Sequence, residues 1–405
     1  MLAPVSKEDD GVTGYPVLKL KAGRDVSLRR GHPWIFSGAV AQMEGSAASG
    51  DVVTAAAHDG SPLALGFYQP SSDIVFRRLS WNTRETVDGD FWRRRLRDAM
   101  SLRRRVLPPD TTAYRLINAE GDGMPGLVAD VYGDCLAIVI ATSGMDRRRE
   151  ELVEIFRTEL CPQWIYERSE GRSRRREGLS DRVGLLQGEK LPSLVPIREE
   201  GRKYFVDVAS GQKTGFFLDQ RINRGIVAQV STGMSVLNAF SYTGGFSVAC
   251  AGAGAARVVS VDASAAANAI AGRNLAANGI PTDRHPVIEA DVFNYFRETE
   301  EQFDLIILDP PAFAKSSRDV PSAARGYKEV HLQALKRLKR GGILATFSCS
   351  NPVDEELFRK IVLGALRDAG RSAAILRSLG PSPDHPTDPG HPEGRYLKGL
   401  LLFVF

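Results

Sequence analysis

The chain reads as an α/β protein whose C-terminal half forms a seven-stranded, doubly wound sheet behind a small β-barrel and a central α+β domain. Three observations predict this. From Pro196 onward strand-like and helix-like segments alternate, the pattern of a parallel sheet covered by helices. Half a dozen short strands, divided by turn residues, crowd into residues 17–82. Residues 83–195 mix strongly amphipathic helices with a few strands. At 405 residues and 43% hydrophobic composition, the chain can bury a large core in two or three domains.

Residues 1–16 are expected to be a flexible tail. From Val17 the runs VLKLKAG, RRGHPWIFSGAV, DVVTAAA, LALGFY and DIVFRRLS are separated by turns such as Asp59-Gly60 and Gln69-Pro70. Basic and aromatic residues interleave around Trp34 in a way that suits RNA, although Trp34 and Phe36 themselves are expected in the barrel core. Phe91–Val106 is a basic amphipathic helix with Trp92, Leu96, Ala99 and Met100 on its apolar face. Strands joined by Gly-Asp-Gly and Tyr-Gly-Asp turns follow, in which Asp122 and Asp130 read as structural. A helix over Arg148–Leu160, a strand over Trp164–Glu167 and a polar, mobile loop over Gly171–Asp181 come next.

In residues 196–405 the expected strands are Ser235–Ala239, Arg257–Val261, Pro286–Glu289, Phe303–Leu308, Ile343–Phe347, Ala373–Ser378 and Gly399–Phe405. Helices are expected over Ser264–Asn278, Gly326–Arg340 and Asp354–Ala369. Seven strands, the last with no crossover helix before it, are the arrangement of a class I methyltransferase sheet.

Composition narrows the function. Net charge is only +4, but arginines cluster at 93–95, 103–105, 147–149 and 174–176. The planar guanidinium donates two hydrogen bonds to a phosphate, so four such clusters point to nucleic acid. The four cysteines, Cys135, Cys161, Cys250 and Cys349, show no metal spacing, and no metal is expected. The first three read as buried small hydrophobes. No signal peptide or membrane-length apolar run is present, which predicts a reduced, cytoplasmic protein.

The stretch VLNAFSYTGGFSVAC (236–250) is a strand, a glycine turn and a helix start. Glycines let the backbone approach a ligand, and a helix start offers unpaired N–H groups. Asp262 ends the next strand, where a carboxylate suits the hydroxyls of a ribose. The glycines do not follow G-x-G-x-x-G, which favours a nucleoside ligand such as S-adenosylmethionine over a dinucleotide. Asp291 ends the third strand within reach of an adenine amino group. The fourth strand runs into Asp309-Pro310-Pro311-Ala312-Phe313, a stiff loop at the ligand edge of the sheet. An acid there is expected to contact a planar base. The fifth strand ends at Ser348-Cys349-Ser350. A helix start just beyond it would favour the thiolate of Cys349. Methylating an unactivated pyrimidine carbon needs such a nucleophile at ring carbon 6.

These stretches resemble the bacterial 23S rRNA cytosine-5 methyltransferases of the RlmI type, over nearly the whole chain. RRGHPWIFSGAV is similar to the opening of their PUA domain and AEGDGMPGLVADVYGD to their central domain. KTGFFLDQR, LDPPAF, SCS and PEGRYLKG are similar to their catalytic half. The resemblance implies that Gln220 and Arg221 hold the methionine end of S-adenosylmethionine, with Asp262 at the ribose, Asp291 at the adenine and Cys349 as nucleophile. Asn238, Phe240, Thr243, Gly244, Gly245 and Asp309 complete the expected cofactor set. Pro310, Pro311, Phe313 and Lys315 are the expected contacts to the target base, and Asp309 is a second catalytic candidate. The expected partner is rRNA, with no membrane; a homodimer is compatible with the sequence. Two departures keep alternatives open. No second cysteine stands in the strand-four motif, and SCSNP is close to the text of RNA uridine-5 methyltransferases. The base for the carbon 5 hydrogen is Asp309, Glu393 or a water. A guanine-nitrogen methyltransferase lacks the cysteine, and a non-catalytic ribosome-assembly factor would not transfer the methyl group.

Overall fold

The computed structural model describes residues 14–405, so most of the expected 1–16 tail lies outside the described residues. Two compact units emerge. The first contains the described residues up to Val106, Arg115–Leu191 and Pro386–Gly394; the second contains Leu107–Tyr114, Pro192–His385 and Arg395–Phe405.

The first unit opens with a curled six-stranded sheet. Its strands are Val17–Leu20, Trp34–Phe36, Val40–Glu44, Val52–Ala56, Pro62–Tyr68 and Ile74–Ser80. Across the sheet they lie second, sixth, fifth, fourth, first, third. Side chains alternate along a strand, and Ile35 takes the inner face at 4% exposure. Phe36 is therefore turned outward and is 48% exposed, and Trp34 is only half-buried. This corrects the expectation that both are core.

A five-stranded sheet follows, with Arg182–Gln187, Trp164–Ser169, Cys135–Ile140, Leu127–Tyr132 and Ala113–Asn118 in spatial order. Helix Gly89–Val106 buries Phe91, Trp92, Leu96 and Ala99. Arg103 shares that buried face and pairs with Asp122 at 2.8 Å, while Arg115 holds Asp130 at 2.7 Å. The 174–176 cluster also divides by role. Arg172–Arg176 is a short helix rather than part of a loop, and Arg174 is buried. Its guanidinium donates to the Ile140 carbonyl (2.9 Å) and Asp146 (2.7 Å), so one of three arginines anchors the segment. Cys161, expected inside, is exposed: it ends helix Arg149–Leu160 in a left-handed conformation (φ 49°) that turns it out of the packing. The late segment Pro386–Gly394 completes this unit. Asn118 Nδ2 donates to the Pro386 carbonyl over 2.9 Å, and Arg78 pairs with Asp388.

The second unit is built on the seven-stranded sheet. Its strands, in chain order, are Ser235–Ala239, Arg257–Asp262, Val287–Glu289, Phe303–Leu308, Leu338–Ser348, Ala373–Leu379 and Lys398–Val404. Spatially they lie third, second, first, fourth, fifth, seventh, sixth. The seventh is antiparallel to both its neighbours and the rest pair in parallel. Both faces are covered, so the inner strands read as near-continuous apolar runs: Leu237, Val259, Leu305, Ile306 and Leu344 are all 0% exposed. The fifth strand begins at Leu338, five residues before its expected start. The preceding helix is Val320–Arg337, displaced from the expected 326–340 because Pro321 sits in its first turn, where a missing N–H costs nothing. Ser264, Asp291 and Asp354 cap their helices by accepting from the backbone N–H three residues on.

Candidate active site

The carboxyl ends of strands one to five open onto a cavity of about 270 Å³. The first turn shapes one wall. Phe240 and Tyr242 hold left-handed φ values of 60° and 48°, rare for side chains with a Cβ and costing about 1–3 kcal/mol each. Gly244 (φ 77°) completes the turn, and a Cβ there would lie 3.1 Å from Ala271 Cβ. That glycine serves the packing of helix Ala265–Ala277. Asp262 accepts from the Tyr242 N–H (2.8 Å) and the Ser264 N–H (2.9 Å), which pins the strand-two tip to the turn. The carboxylate keeps lone pairs for a ligand. Ser241 Oγ and Thr243 Oγ1, both on wall residues, are buried without a partner.

A strap over residues 212–224 forms the second wall. The Tyr242 hydroxyl accepts from the Gln212 N–H (2.8 Å) and donates to the Gly215 carbonyl (3.1 Å), tying strap to turn. Lys213 reaches Asp219 Oδ2 at 2.8 Å, and the Tyr396 hydroxyl donates to the same oxygen. Asp219 Oδ1 is buried and unpartnered. Burial works against both charges, but the pair outweighs it: the Asp219 carboxyl is held well below its usual range and the Lys213 ammonium well above. Gln220 Nε2 donates to Asp309 Oδ2 at 3.0 Å.

Asp309 and Cys349 meet at the same cavity. Burial, reinforced by the charge of Asp219, pushes the Asp309 carboxyl up to about 7. Burial and then Asp309 push the Cys349 thiol up, while Lys213 pulls it down. The next helix starts at Glu355, six residues beyond Cys349, and is capped by Asp354. On balance the thiol is disfavoured from ionising, and the charge that opposes this is Lys213 rather than the helix start the sequence suggested.

Of the expected cofactor residues, Gln220, Phe240, Thr243, Gly245, Asp262, Asp291 and Asp309 line the cavity. Asn238 is not in its lining; its Nδ2 donates to Ser247 Oγ at 2.9 Å. Arg221 is not in the wall: it is 1% exposed and its guanidinium is committed to Asp384 and the Ala113 carbonyl. Arg224 is the wall arginine instead, paired with Glu199. Pro310 and Pro311 face the cavity; Phe313 packs on Tyr327, and the Lys315 N–H is bound to Asp319. Glu393 belongs to the first unit, near His32 and His391. Lys213, Asp219 and Tyr242 were not singled out from sequence. The KTGFFLDQR text was the available signal, but the turn that joins them was not readable there. Among the described residues no cluster could hold a metal ion, and no helix is long and apolar enough to cross a membrane.

This sheet order, with acids at the strand tips around one cavity, defines a class I S-adenosylmethionine-dependent methyltransferase. A family model described as S-adenosylmethionine-dependent methyltransferase matches residues 115–386, and a PUA-like domain model matches 18–81. The chain is 44% identical to ribosomal RNA large subunit methyltransferase I of Aeromonas salmonicida, over 95% of this chain and 98% of that one. It is 43% identical to the Shewanella amazonensis protein of the same name, over 96% and 99%. A solved methyltransferase complexed with S-adenosylhomocysteine superposes with a TM-score of 0.82 at 25% identity, covering 96% of this chain and 100% of that one. The chain belongs to the ribosomal RNA large subunit methyltransferase I family and is an S-adenosylmethionine-dependent rRNA methyltransferase.

Proposed function

We propose that the chain forms 5-methylcytosine in 23S rRNA through a covalent bond between Cys349 and ring carbon 6 of the target base. The observation that carries this is the convergence of Cys349, Asp309 and the two prolines on the cavity that also holds the strand-tip acids. The unpartnered Ser241 and Thr243 hydroxyls beside Asp262 fit a polar nucleoside ligand. Asp262 would hold the ribose of S-adenosylmethionine, Asp291 and Phe240 the adenine, and Gln220 and Thr243 the methionine end. When bound, the cofactor supplies an electrophilic methyl group.

The chain's own groups do the rest. Asp309, near neutrality in its proton affinity, takes the thiol proton and passes it to ring nitrogen 3 as the S–C6 bond forms. The electron pair pushed into the ring makes carbon 5 nucleophilic enough to take the methyl. The carbon 5 hydrogen then leaves as a proton to the Asp309 carboxylate. The S–C6 bond breaks, and the thiolate recovers the proton from nitrogen 3. Lys213 stabilises the thiolate at both ends of the cycle. Asp309 is preferred to Glu393 as base because it shares the cavity with Cys349.

Cys349→Ala should abolish transfer and leave S-adenosylmethionine affinity nearly unchanged, read by nucleoside mass spectrometry of rRNA and by calorimetry. RNA carrying 5-fluorocytosine should trap the adduct, since fluorine does not leave as a proton does. Full activity of Cys349→Ala would overturn the covalent mechanism. A 5-methyluridine product would keep the mechanism and change the substrate.

A further inference from the structure

We infer that Tyr327 is a positioning residue that holds the turn carrying Cys349 with its hydroxyl and the loop carrying Asp309 with its ring. The inference rests on Cys349 being the nucleophile. Sheet pairing supports strand five only as far as Ser348, which lies opposite Lys398. Cys349 stands beyond the ladder, so its aim depends on side chains.

Those side chains converge on one oxygen. Ser348 Oγ donates to the Tyr327 hydroxyl over 2.9 Å, and the same hydroxyl lies 2.9 Å from Ser350 Oγ. The residues on both sides of the thiol are thus held by one phenol. Ser350 Oγ also accepts from the Ala314 N–H at 3.1 Å, in the loop that follows Asp309-Pro310-Pro311. Lys398 Nζ donates to the Ser350 carbonyl over 2.7 Å and to that of Val353. The Tyr327 ring is 0% exposed and sits 4.6 Å from the Phe313 ring, within the strand-four loop. Gly326 permits that approach, because a Cβ there would lie 3.3 Å from Phe313. Ring and hydroxyl of a single residue therefore touch both loops. A nucleophile must stand about 3–3.5 Å from its carbon with its orbital aligned, and a shift of about 1 Å costs on the order of 100-fold.

Tyr327→Phe keeps the ring and removes the oxygen. With the full-length protein, S-adenosylmethionine and 23S rRNA transcribed with 5-fluorocytidine, adduct formation should slow by about 10- to 100-fold. With ordinary RNA the loss should fall on kcat, with KM for RNA and cofactor unchanged. Ser350→Ala removes the other end of the shared contact together with the bond to the Ala314 N–H, and the double variant should lose less than the sum of the two single losses. If Tyr327→Phe does not fold, Ser350→Ala answers the question alone. Adduct formation at the parent rate in Tyr327→Phe or Ser350→Ala, or additive losses in the double variant, overturns the inference while an inactive Cys349→Ala leaves the nucleophile standing. Full activity in Cys349→Ala overturns both.

Discussion

A carboxyl and a thiol that share a buried wall each make the other harder to ionise. Asp309 carries the larger consequence. Its folded-state value of about 7 lies above the ordinary 3.8, so the folded protein binds a proton that the unfolded chain has already released. Stability from this group is present at acid pH and lost as pH rises through that window. Asp309→Asn removes the liability and keeps an acceptor for Gln220. Its melting temperature should therefore exceed the parent's at pH 8 and converge with it near pH 4, although the variant should be inactive; a pH-independent difference would contradict this. Asp262 lines the same cavity and is fixed by two backbone donors. Asp262→Ala should weaken S-adenosylmethionine binding by about 1.5–3 kcal/mol, the scale of a lost hydrogen bond to a charged group. Unchanged affinity by calorimetry would remove the ribose assignment. Asp262, Asp309 and Cys349 could be read from sequence because each ends an apolar strand run. The Lys213–Asp219 pair could not, since it depends on the Gly215 turn (φ 128°) bringing a strap back on itself.

Helix Val320–Arg337 supplies a second kind of control. His331, on its buried face, lies 2.6 Å from the Tyr327 carbonyl and 2.8 Å from Thr346 Oγ1 on strand five. Burial lowers its value from 6.5 to about 4, so it is held neutral. The unfolded chain takes up a proton first as pH falls, and the stabilisation present above about 6.5 is lost on the way to 4. The slope is at most about 1.4 kcal/mol per pH unit. Urea midpoints of the parent should fall more steeply over that range than those of His331→Leu, and parallel curves would refute the assignment. The strands of this unit were legible as apolar runs bounded by turn residues, and the parallel sheet followed from the alternation. Helix starts were less so, because Pro321 lies ahead of the apolar periodicity. The Arg172–Arg176 helix was illegible for another reason. Its stability comes from Arg174 reaching Ile140 and Asp146, interactions that composition cannot announce.

At the scale of the molecule, the arginine clusters divide into anchors and solvent-facing cations. Arg103 and Arg174 are buried in ion pairs, whereas Arg94, Arg104, Arg105, Arg147, Arg175 and Arg176 are exposed. RNA binding by the full chain should therefore weaken linearly in log affinity against log salt. Replacing Arg104 and Arg105 together by serine should reduce the slope by about 0.7–0.9 for each phosphate they neutralise. A flat salt response would exclude a phosphate-led interaction. The first unit also has a peculiarity of timing. Its last piece, Pro386–Gly394, leaves the translating ribosome after nearly all of the second unit, and Arg78, a nearly buried guanidinium, must await an aspartate 310 residues downstream. At about 5–20 residues per second that delay is roughly 15–60 s. Throughout it the first unit holds an unpaired cation, so its closure is among the final events of synthesis: this rRNA-modifying enzyme emerges with its first-made half finished last.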